Sequence, residues 1–327
     1  MAVTTHTDVV VSEDHIYGGI FEELEQNLED LEQGSRGTIL ISDSRVKGDY
    51  GYKSFFASIS SMIERRVSDT VTDGTATQAL EKEYVSVKLK RRAQVEWSLD
   101  AFKAKQVDPA GFAVELGREF QRRKMQDMIN ISLTAAATAL ESQAALTNDQ
   151  SAASITHGQI SATLAKRGDK AFEVAAFAMH SVPYFDLIAQ ALSDKVPANI
   201  GGGAIQLGTV PIFGRAALIS DSSALTDANG SLDATYNTLG LVPGALMIEQ
   251  SEPETLVPAE LVTGKHNLLL RFQAEYVFNV SVKGFAYNVS GGGANPTATN
   301  VATTSNWTQV DTDDKTLAGV LLVNKAA

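Results

Sequence analysis

The chain carries few residues of the types and spacings that perform chemistry. Its five histidines are scattered, and no two of them have the i, i+4 spacing with an intervening glutamate that builds a zinc site on a helix. The 327 residues include no cysteine, which excludes disulfides, thiolate metal ligands and cysteine nucleophiles. No Gly-x-Ser-x-Gly elbow of a serine hydrolase occurs. The sequence therefore predicts no catalytic residue, no cofactor and no metal site.

Two segments come closest to known ligand motifs. Gly203 and Gly208 have the glycine spacing of a phosphate-binding loop, but Thr209 stands where that motif needs the lysine that reaches the phosphates. The acidic run that begins at Asp311 lacks the glycine and the distal glutamate of a calcium-binding loop. We interpret both segments as loops without a ligand.

The charged residues are distributed in a way that points to contacts between copies of the chain. Residues 1–35 hold nine carboxylates and no lysine or arginine, whereas residues 82–124 hold eleven basic and six acidic side chains. Opposite charge predicts a contact in an assembly, while the alternative is that the basic run is a solvated surface. The residues predicted to make the contact are Lys88, Lys90, Arg91, Arg92, Arg118, Arg122 and Arg123 on the basic side, and Glu22, Glu23, Glu25 and Glu29 on the acidic side.

The composition is that of a folded protein, with 44% hydrophobic and 20% charged residues. The net charge of −12 argues against a general nucleic-acid-binding protein, because affinity for duplex DNA comes mainly from neutralised phosphates. No run of eighteen apolar residues occurs, and residues 1–11 lack the basic segment and apolar core of a signal peptide. We therefore expect the chain to remain in the compartment where it is made.

One long helix and one long strand dominate the predicted secondary structure. Asp108 is a suitable N-cap, Pro109 suits the first helical position, and apolar residues recur at helical spacing from there to Ser142. Residues Leu268 to Lys283 alternate between apolar and polar side chains, as half-buried strands do. Each element spans about 50 Å. Because the helix lacks the sustained heptads of a coiled coil, we predict that it lies along the sheet in one elongated slab.

Shorter elements precede this slab. An amphipathic helix is predicted from Ile16 to Gln33, and it packs either on its own chain or on a neighbour. Two extended pieces follow between Arg45 and Phe102, around the turn signal Asp73-Gly74. Midway along the second piece lie Lys88, Lys90, Arg91 and Arg92, which we call the basic cluster. A hairpin of this length is predicted to project from the body of the protein.

The region from Ser151 to Thr263 has a mixed α/β pattern. A helix is predicted to open at Ser181 and to run to Leu192. The strands predicted here are Glu173–Met179, Val210–Ser220 and Leu239–Ile248, and a last short strand, Gly319–Val323, follows a polar linker.

This order of elements resembles that of the major capsid proteins of tailed bacteriophages, which have the Hong Kong 97-like fold. The resemblance covers essentially the whole chain. It is most specific at FAMHSVPYFDLI from Phe177, at TVPIFGRAALISD from Thr209 and at VKGFAY from Val282. It implies an α+β fold with a long spine helix, long β-strands, a projecting β-hairpin called the extended loop, and a mixed α/β axial domain.

The resemblance also divides the chain. The implied parts are an N-terminal arm (1–44), the extended loop (45–102), a peripheral domain (103–150 with 264–290), the axial domain (151–263) and a C-terminal tail (291–327). A lysine in the extended loop of some relatives forms a covalent crosslink, but no lysine of this chain is assigned that role.

The function that the resemblance implies is structural, without catalysis. Such a protein is made in the bacterial host cytoplasm and assembles with itself into hexamers and pentamers of an icosahedral phage head, which encloses double-stranded DNA that it contacts non-specifically. A scaffolding protein, a decoration protein and the portal are the other partners implied, and no membrane is involved. Two alternatives stay open, namely an encapsulin-like shell of a cellular compartment and an α/β enzyme with its site in residues 151–263.

Overall fold

The computed structural model describes residues 34–42, 51–56, 81–98, 109–193, 206–209, 214–227, 235–262, 268–311 and 313–325. Within these ranges the chain forms a five-stranded sheet, a seven-stranded sheet, a two-stranded sheet and five α-helices. The strands are β1 (Ile39–Ser42), β2 (Gly51–Phe56), β3 (Glu81–Ser98), β4 (Thr147–Ser154), β5 (Ala176–Met179), β6 (Gln206–Thr209), β7 (Ala216–Ile219), β8 (Thr226–Asp227), β9 (Thr235–Leu241), β10 (Leu246–Val262), β11 (Leu269–Val282), β12 (Phe285–Tyr287), β13 (Trp307–Gln309) and β14 (Gly319–Lys325). The helices are α1 (Pro109–Glu141), α2 (His157–Ala165), α3 (Ser181–Ser193), α4 (Val289–Gly292) and α5 (Ala298–Val301).

Helix α1 is the predicted long helix and runs for 33 residues without a break. The predicted N-cap, Asp108, lies outside the described residues. The second half of α1 is buried on most sides, and Ala135, Ala136, Ala139 and Leu140 are fully buried. Small side chains suit this close packing, and α1 as a whole contacts strands of both large sheets.

The five-stranded sheet has the order β1-β10-β11-β3-β2 and carries α1 on one face. Its neighbouring strands are antiparallel except for β1 and β10, which are parallel. Phe120 of α1 packs edge-on against Phe272 and Tyr276 of β11, with ring centroids 5.7 and 6.1 Å apart. Trp97 of β3 meets Phe112 of α1 at 5.2 Å. The predicted packing of the long helix along the long strand is therefore confirmed.

The seven-stranded sheet has the order β4-β14-β9-β5-β7-β6, with β8 paired to β9 beside β5. Helix α2 packs on β4 and β14 and begins with a reciprocal capping box between Thr156 and Gln159. Helix α3 follows β5 and begins at Ser181, where the sequence predicted a helix start. Strand β5 begins later than predicted, at Ala176, because Gly168–Glu173 form a 3₁₀ turn.

The segment Leu239–Ile248 was predicted as one strand and is two. Strand β9 ends at Leu241, and β10 begins at Leu246 in the other large sheet. The turn between them contains Pro243, which has no N–H for a ladder bond, and Gly244, whose φ is +68°. The chain therefore crosses here from the seven-stranded to the five-stranded sheet, about 20 residues before the predicted division at Thr263. It returns to the seven-stranded sheet with β14.

The predicted hairpin also differs from expectation. Strand β2 pairs with only the first part of β3, from Glu81 to Ser86, and Val87–Ser98 pair with β11. The basic cluster thus lies within the five-stranded sheet and does not project from it. Val87 and Leu89 are buried, and their burial fixes this half of β3 on the body of the subunit.

Candidate functional site

Lys88 is the first of the residues predicted to contact another copy of the chain. Its side chain is only 4% exposed. Its Nζ lies 2.7 Å from Glu252 Oε1 on β10. The two residues are 164 positions apart in the sequence, so the pairing is a product of the fold. Because a buried ammonium needs a partner, this pair holds β10 and β3 together across β11.

Arg91 is also engaged within the subunit. It lies on the face of β3 that packs against α1, and its Nε is 3.3 Å from Asp127 Oδ2 of that helix. The same carboxylate oxygen accepts a hydrogen bond of 3.0 Å from the hydroxyl of Tyr276. Burial raises the pKa of Tyr276, and the Asp127 carboxylate raises it further. The three side chains therefore form a small network that joins helix and sheet.

The three predicted arginines of α1 lie on its outer side and pair with glutamates of the same helix. Arg118 is 3.9 Å from Glu115, while Arg122 and Arg123 are 3.4 and 2.7 Å from Glu119. Exposed pairs of this kind contribute at most about 1 kcal/mol each to stability. They nevertheless neutralise much of the positive charge that the sequence places on this helix.

Lys90 and Arg92 lie on the opposite face of β3 from α1, and both are exposed. The backbone N–H of Lys90 donates to Asn295 Oδ1 at 2.9 Å. Arg92 stands directly opposite Glu275 of β11, where a cross-strand attraction is expected. The predicted acidic partners Glu22, Glu23, Glu25 and Glu29 lie outside the described residues, so the contact itself remains a prediction.

The sequence prediction did not single out the ion pair between Lys124 of α1 and Glu254 of β10, which among the described residues is the most buried pair between helix and sheet. The side chains of Lys124 and Glu254 are 2% and 18% exposed. Lys124 Nζ also donates to Gln250 Oε1 at 3.3 Å and lies 5.8 Å from the ring centroid of Tyr276. The sequence contained a signal for the burial of Lys124. This lysine stands four residues from both Phe120 and Met128, so it lies on the apolar stripe of the helix.

The structure places the two segments that were compared with ligand motifs in a turn and, for the described part of the glycine segment, in a strand. Asp311 accepts a hydrogen bond of 2.6 Å from the Thr316 hydroxyl, which closes a turn. Gly203 is not among the described residues, and Gly208 belongs to β6. Among the described residues there is no group of three or more histidine or carboxylate side chains placed to hold a metal ion. In the same part of the chain, no helix has the length and apolar character needed to span a membrane.

The fold matches those of phage shell proteins. The head structure of Helicobacter pylori bacteriophage KHP40 aligns with a TM-score of 0.52 over 90% of this chain and 89% of that chain, at 10% identity. The capsid of Ralstonia phage GP4 aligns with a TM-score of 0.51 over 90% and 88%, at 10% identity. A structure from Mycobacterium phage Bobi aligns with a TM-score of 0.51 over 88% and 89%, at 11% identity. The chain thus shares the fold of these phage structures, two of which are described as a phage head or capsid.

The sequence itself places the protein in one family. The family model Gp13-like, described as major capsid protein 13-like, matches residues 8–321, and the chain belongs to this family. No protein with a curated description matches the sequence. The chain is therefore a structural protein of a phage head and not an enzyme, and the resemblance proposed from the sequence is confirmed.

Proposed function

We propose that the chain assembles with itself into hexamers and pentamers of an icosahedral head that encloses double-stranded DNA. The observation that carries this proposal is the match of the major capsid family over residues 8–321, which include α1, the five-stranded sheet and all of the seven-stranded sheet except the last four residues of β14. A shell subunit repeats the same few contacts around every symmetry axis. An elongated helix-on-sheet body suits this role because it offers extended surfaces on several sides.

The other partners of such a head follow from the same proposal. They are a scaffolding protein, a decoration protein, the portal and the packaged DNA, which is contacted without sequence specificity. The subunit is made in the cytoplasm of the bacterial host and ends in the virion. The high negative charge of the chain supports a weak, non-specific contact with DNA rather than tight binding.

Expression of the chain alone, followed by sedimentation and negative-stain microscopy, tests the proposal. We expect closed shells or capsomer rings. A single monomer peak at high protein concentration in every salt condition would contradict self-assembly, and a ligand held in the seven-stranded sheet region would then favour the enzyme alternative. Shells that copurify with an enclosed enzyme would favour the encapsulin-like alternative.

The first prediction concerns the exposed basic surface of β3. Replacing Arg92 by glutamate should slow assembly by at least about tenfold, because charge complementarity sets encounter rate and register. The melting temperature of the subunit should fall by no more than about 4 °C, because the new glutamate stands opposite Glu275 and a cross-strand pair is worth at most about 1 kcal/mol. Arg91 is unsuitable for this test because a glutamate there would face Asp127.

Light scattering across a salt series measures this effect, because exposed charges are screened over about 10 Å at 0.1 M salt. Arg92→Lys keeps the charge and serves as the control, with assembly expected near the original rate. Equal assembly of Arg92→Glu and Arg92→Lys would show that the surface is merely solvated.

The second prediction concerns the N-terminal arm. Deleting residues 1–33 should leave a cooperatively folding subunit that assembles poorly, because the described elements of both sheets are retained. Deleting residues 1–42 should also lower stability, because it removes β1 with the buried Ile39 and the carbonyls of Gly37 and Thr38, which accept from Gly244 and Leu246 at 2.8 and 3.0 Å. Thermal melts of the two deletions are compared, and loss of cooperative melting in the shorter deletion would mean that residues 1–33 pack on their own chain.

A further inference from the structure

Strand β3 has an outer edge, on the side away from β11, and among the described strands none pairs with this edge between Arg92 and Ser98. The backbone N–H of Lys90 points to the outer side, because it donates to Asn295 Oδ1 at 2.9 Å. Successive residues of a strand direct their N–H and C=O groups to alternate sides, so every second residue from Arg92 onward also directs them outward. The segment Arg92–Ser98 therefore offers a second strand the backbone groups of a ladder.

The opposite edge of the same sheet differs in its resistance to pairing. Beyond β1 that edge is β10, which contains Pro253 and Pro258 and has three register shifts in its ladder with β11. Proline has no N–H to donate, and register shifts bend a strand away from a flat partner. Strand β3 contains no proline or glycine, and its ladder with β11 runs from Val87 to Ser98 without a shift. The sheet thus protects one edge and leaves the other regular, as expected of an edge that pairs.

Val95 lies at the middle of the segment Arg92–Ser98 and is 49% exposed. Its side chain is on the α1 face of the sheet, because it alternates with that of Trp97, which contacts α1. An added strand cannot extend past Lys90, whose N–H is held by Asn295. A second copy of Arg92–Ser98, placed antiparallel by a two-fold axis, covers the whole segment only when the axis passes between the two copies of Val95.

In this register the edge is complementary to itself. The directly opposed pairs are Val95 with Val95, Ala93 with Trp97, Gln94 with Glu96, and Arg92 with Ser98. The exposed valine is covered by its own copy, and a large aromatic side chain meets a small one. The Glu96 carboxylate, which Arg271 holds at 2.5 Å, has acceptor sites enough for the Gln94 amide as well. No two charges of the same sign stand directly opposite each other.

We propose that in the assembled head two copies of the chain pair their β3 edges antiparallel about a two-fold axis at Val95, which joins their five-stranded sheets into one. This inference rests on the proposed self-assembly and names one of its contacts. A two-fold contact uses the same surface on both copies, and an icosahedral shell contains two-fold axes. Backbone hydrogen bonds then hold the two strands together, and the side-chain pairs select the register.

Cysteine crosslinking tests this pairing directly, because the chain has no cysteine of its own. The two copies of position 95 form a pair without ladder hydrogen bonds, in which the Cα atoms are about 4.5 Å apart, a distance that a disulfide spans. Particles of Val95→Cys, oxidised with copper phenanthroline, should therefore give a disulfide-linked dimer on a non-reducing denaturing gel. Val257→Cys is the matched control, since Val257 is 41% exposed on the protected strand β10, and it should stay monomeric.

A single cysteine in each chain can join only two chains, and it does so only where two copies of that position meet. The dimer from Val95→Cys, with a silent control, supports the two-fold pairing. A monomer band alone from Val95→Cys particles would overturn the pairing and would favour a different strand on this edge. Equal dimer from both variants would overturn it as well, because the crosslinks would then reflect chance collisions.

A second variant separates this contact from self-assembly in general. Val95→Lys should raise the protein concentration needed for half-maximal assembly about tenfold, because it places two ammonium groups opposite each other. Val257→Lys should assemble like the original chain, and the two variants should show similar changes in the melting temperature of the unassembled subunit. If Val95→Lys also assembles like the original, the pairing fails while self-assembly stands. If the original chain forms no particles, both proposals fail.

Discussion

Replacing Gly319 by alanine should reduce the free energy of unfolding of the unassembled subunit by about 3 to 5 kcal/mol. A Cβ at this position would lie 2.0 Å from the Gly240 carbonyl oxygen and 3.2 Å from Leu241 Cα. Both are backbone atoms, so no side chain can rotate to relieve the clash. Strands β9 and β14 would have to separate.

The position of the clash makes the effect large. Strand β14 lies between β9 and β4, and Val320, Leu321 and Leu322 on it are almost fully buried. Moving β14 therefore disturbs the ladders on both of its sides and the core of the seven-stranded sheet.

Urea unfolding followed by circular dichroism measures the loss. Gly158→Ala is the matched control, because a Cβ there would meet its nearest neighbour, Thr156 Oγ1, at an ordinary 3.8 Å. That substitution lies in the first turn of α2 and should be neutral or stabilise the protein by up to about 1 kcal/mol. Equal stability of the two variants would refute the steric argument.

The second large effect is expected at the ion pair between α1 and β10. Glu254→Leu should cost about 3 kcal/mol, because it removes the carboxylate partner of the Lys124 ammonium, whose side chain is only 2% exposed. The double variant Lys124→Met/Glu254→Leu should recover most of this loss, since it replaces the charges by apolar groups of similar size.

A double-mutant cycle in urea isolates the coupling between the two side chains. The control is Glu119→Leu. It breaks the exposed pair in which Glu119 Oε1 lies 2.7 Å from Arg123 Nε. It should cost less than about 1 kcal/mol because water and ions already screen that pair. If Glu254→Leu is no more costly than Glu119→Leu, the pair at Lys124 is not energetically buried.

Much of the fold is determined by local sequence pattern. The predicted ends of helix α1 and strand β11 lie within two residues of the observed ends. The reason is that helical and strand periodicities of this length are local signals. Helix α3 was predicted for the same reason, from a serine and a proline in its first turn. The order of these elements was also sufficient to indicate the class of protein.

Only the tertiary structure decided which strands share a sheet and which charges are free to meet a neighbour. An alternating strand such as β3 has one apolar face, but its sequence does not say whether β2 or β11 is its partner, and it pairs with both. A run of positive charge likewise says nothing about distant carboxylates. Lys88 and Arg91 were predicted as contacts to other subunits, yet the fold brings Glu252 and Asp127 to them. Sheet partners and ion pairs depend on residues far apart in the chain, and burial in a shared core selects them.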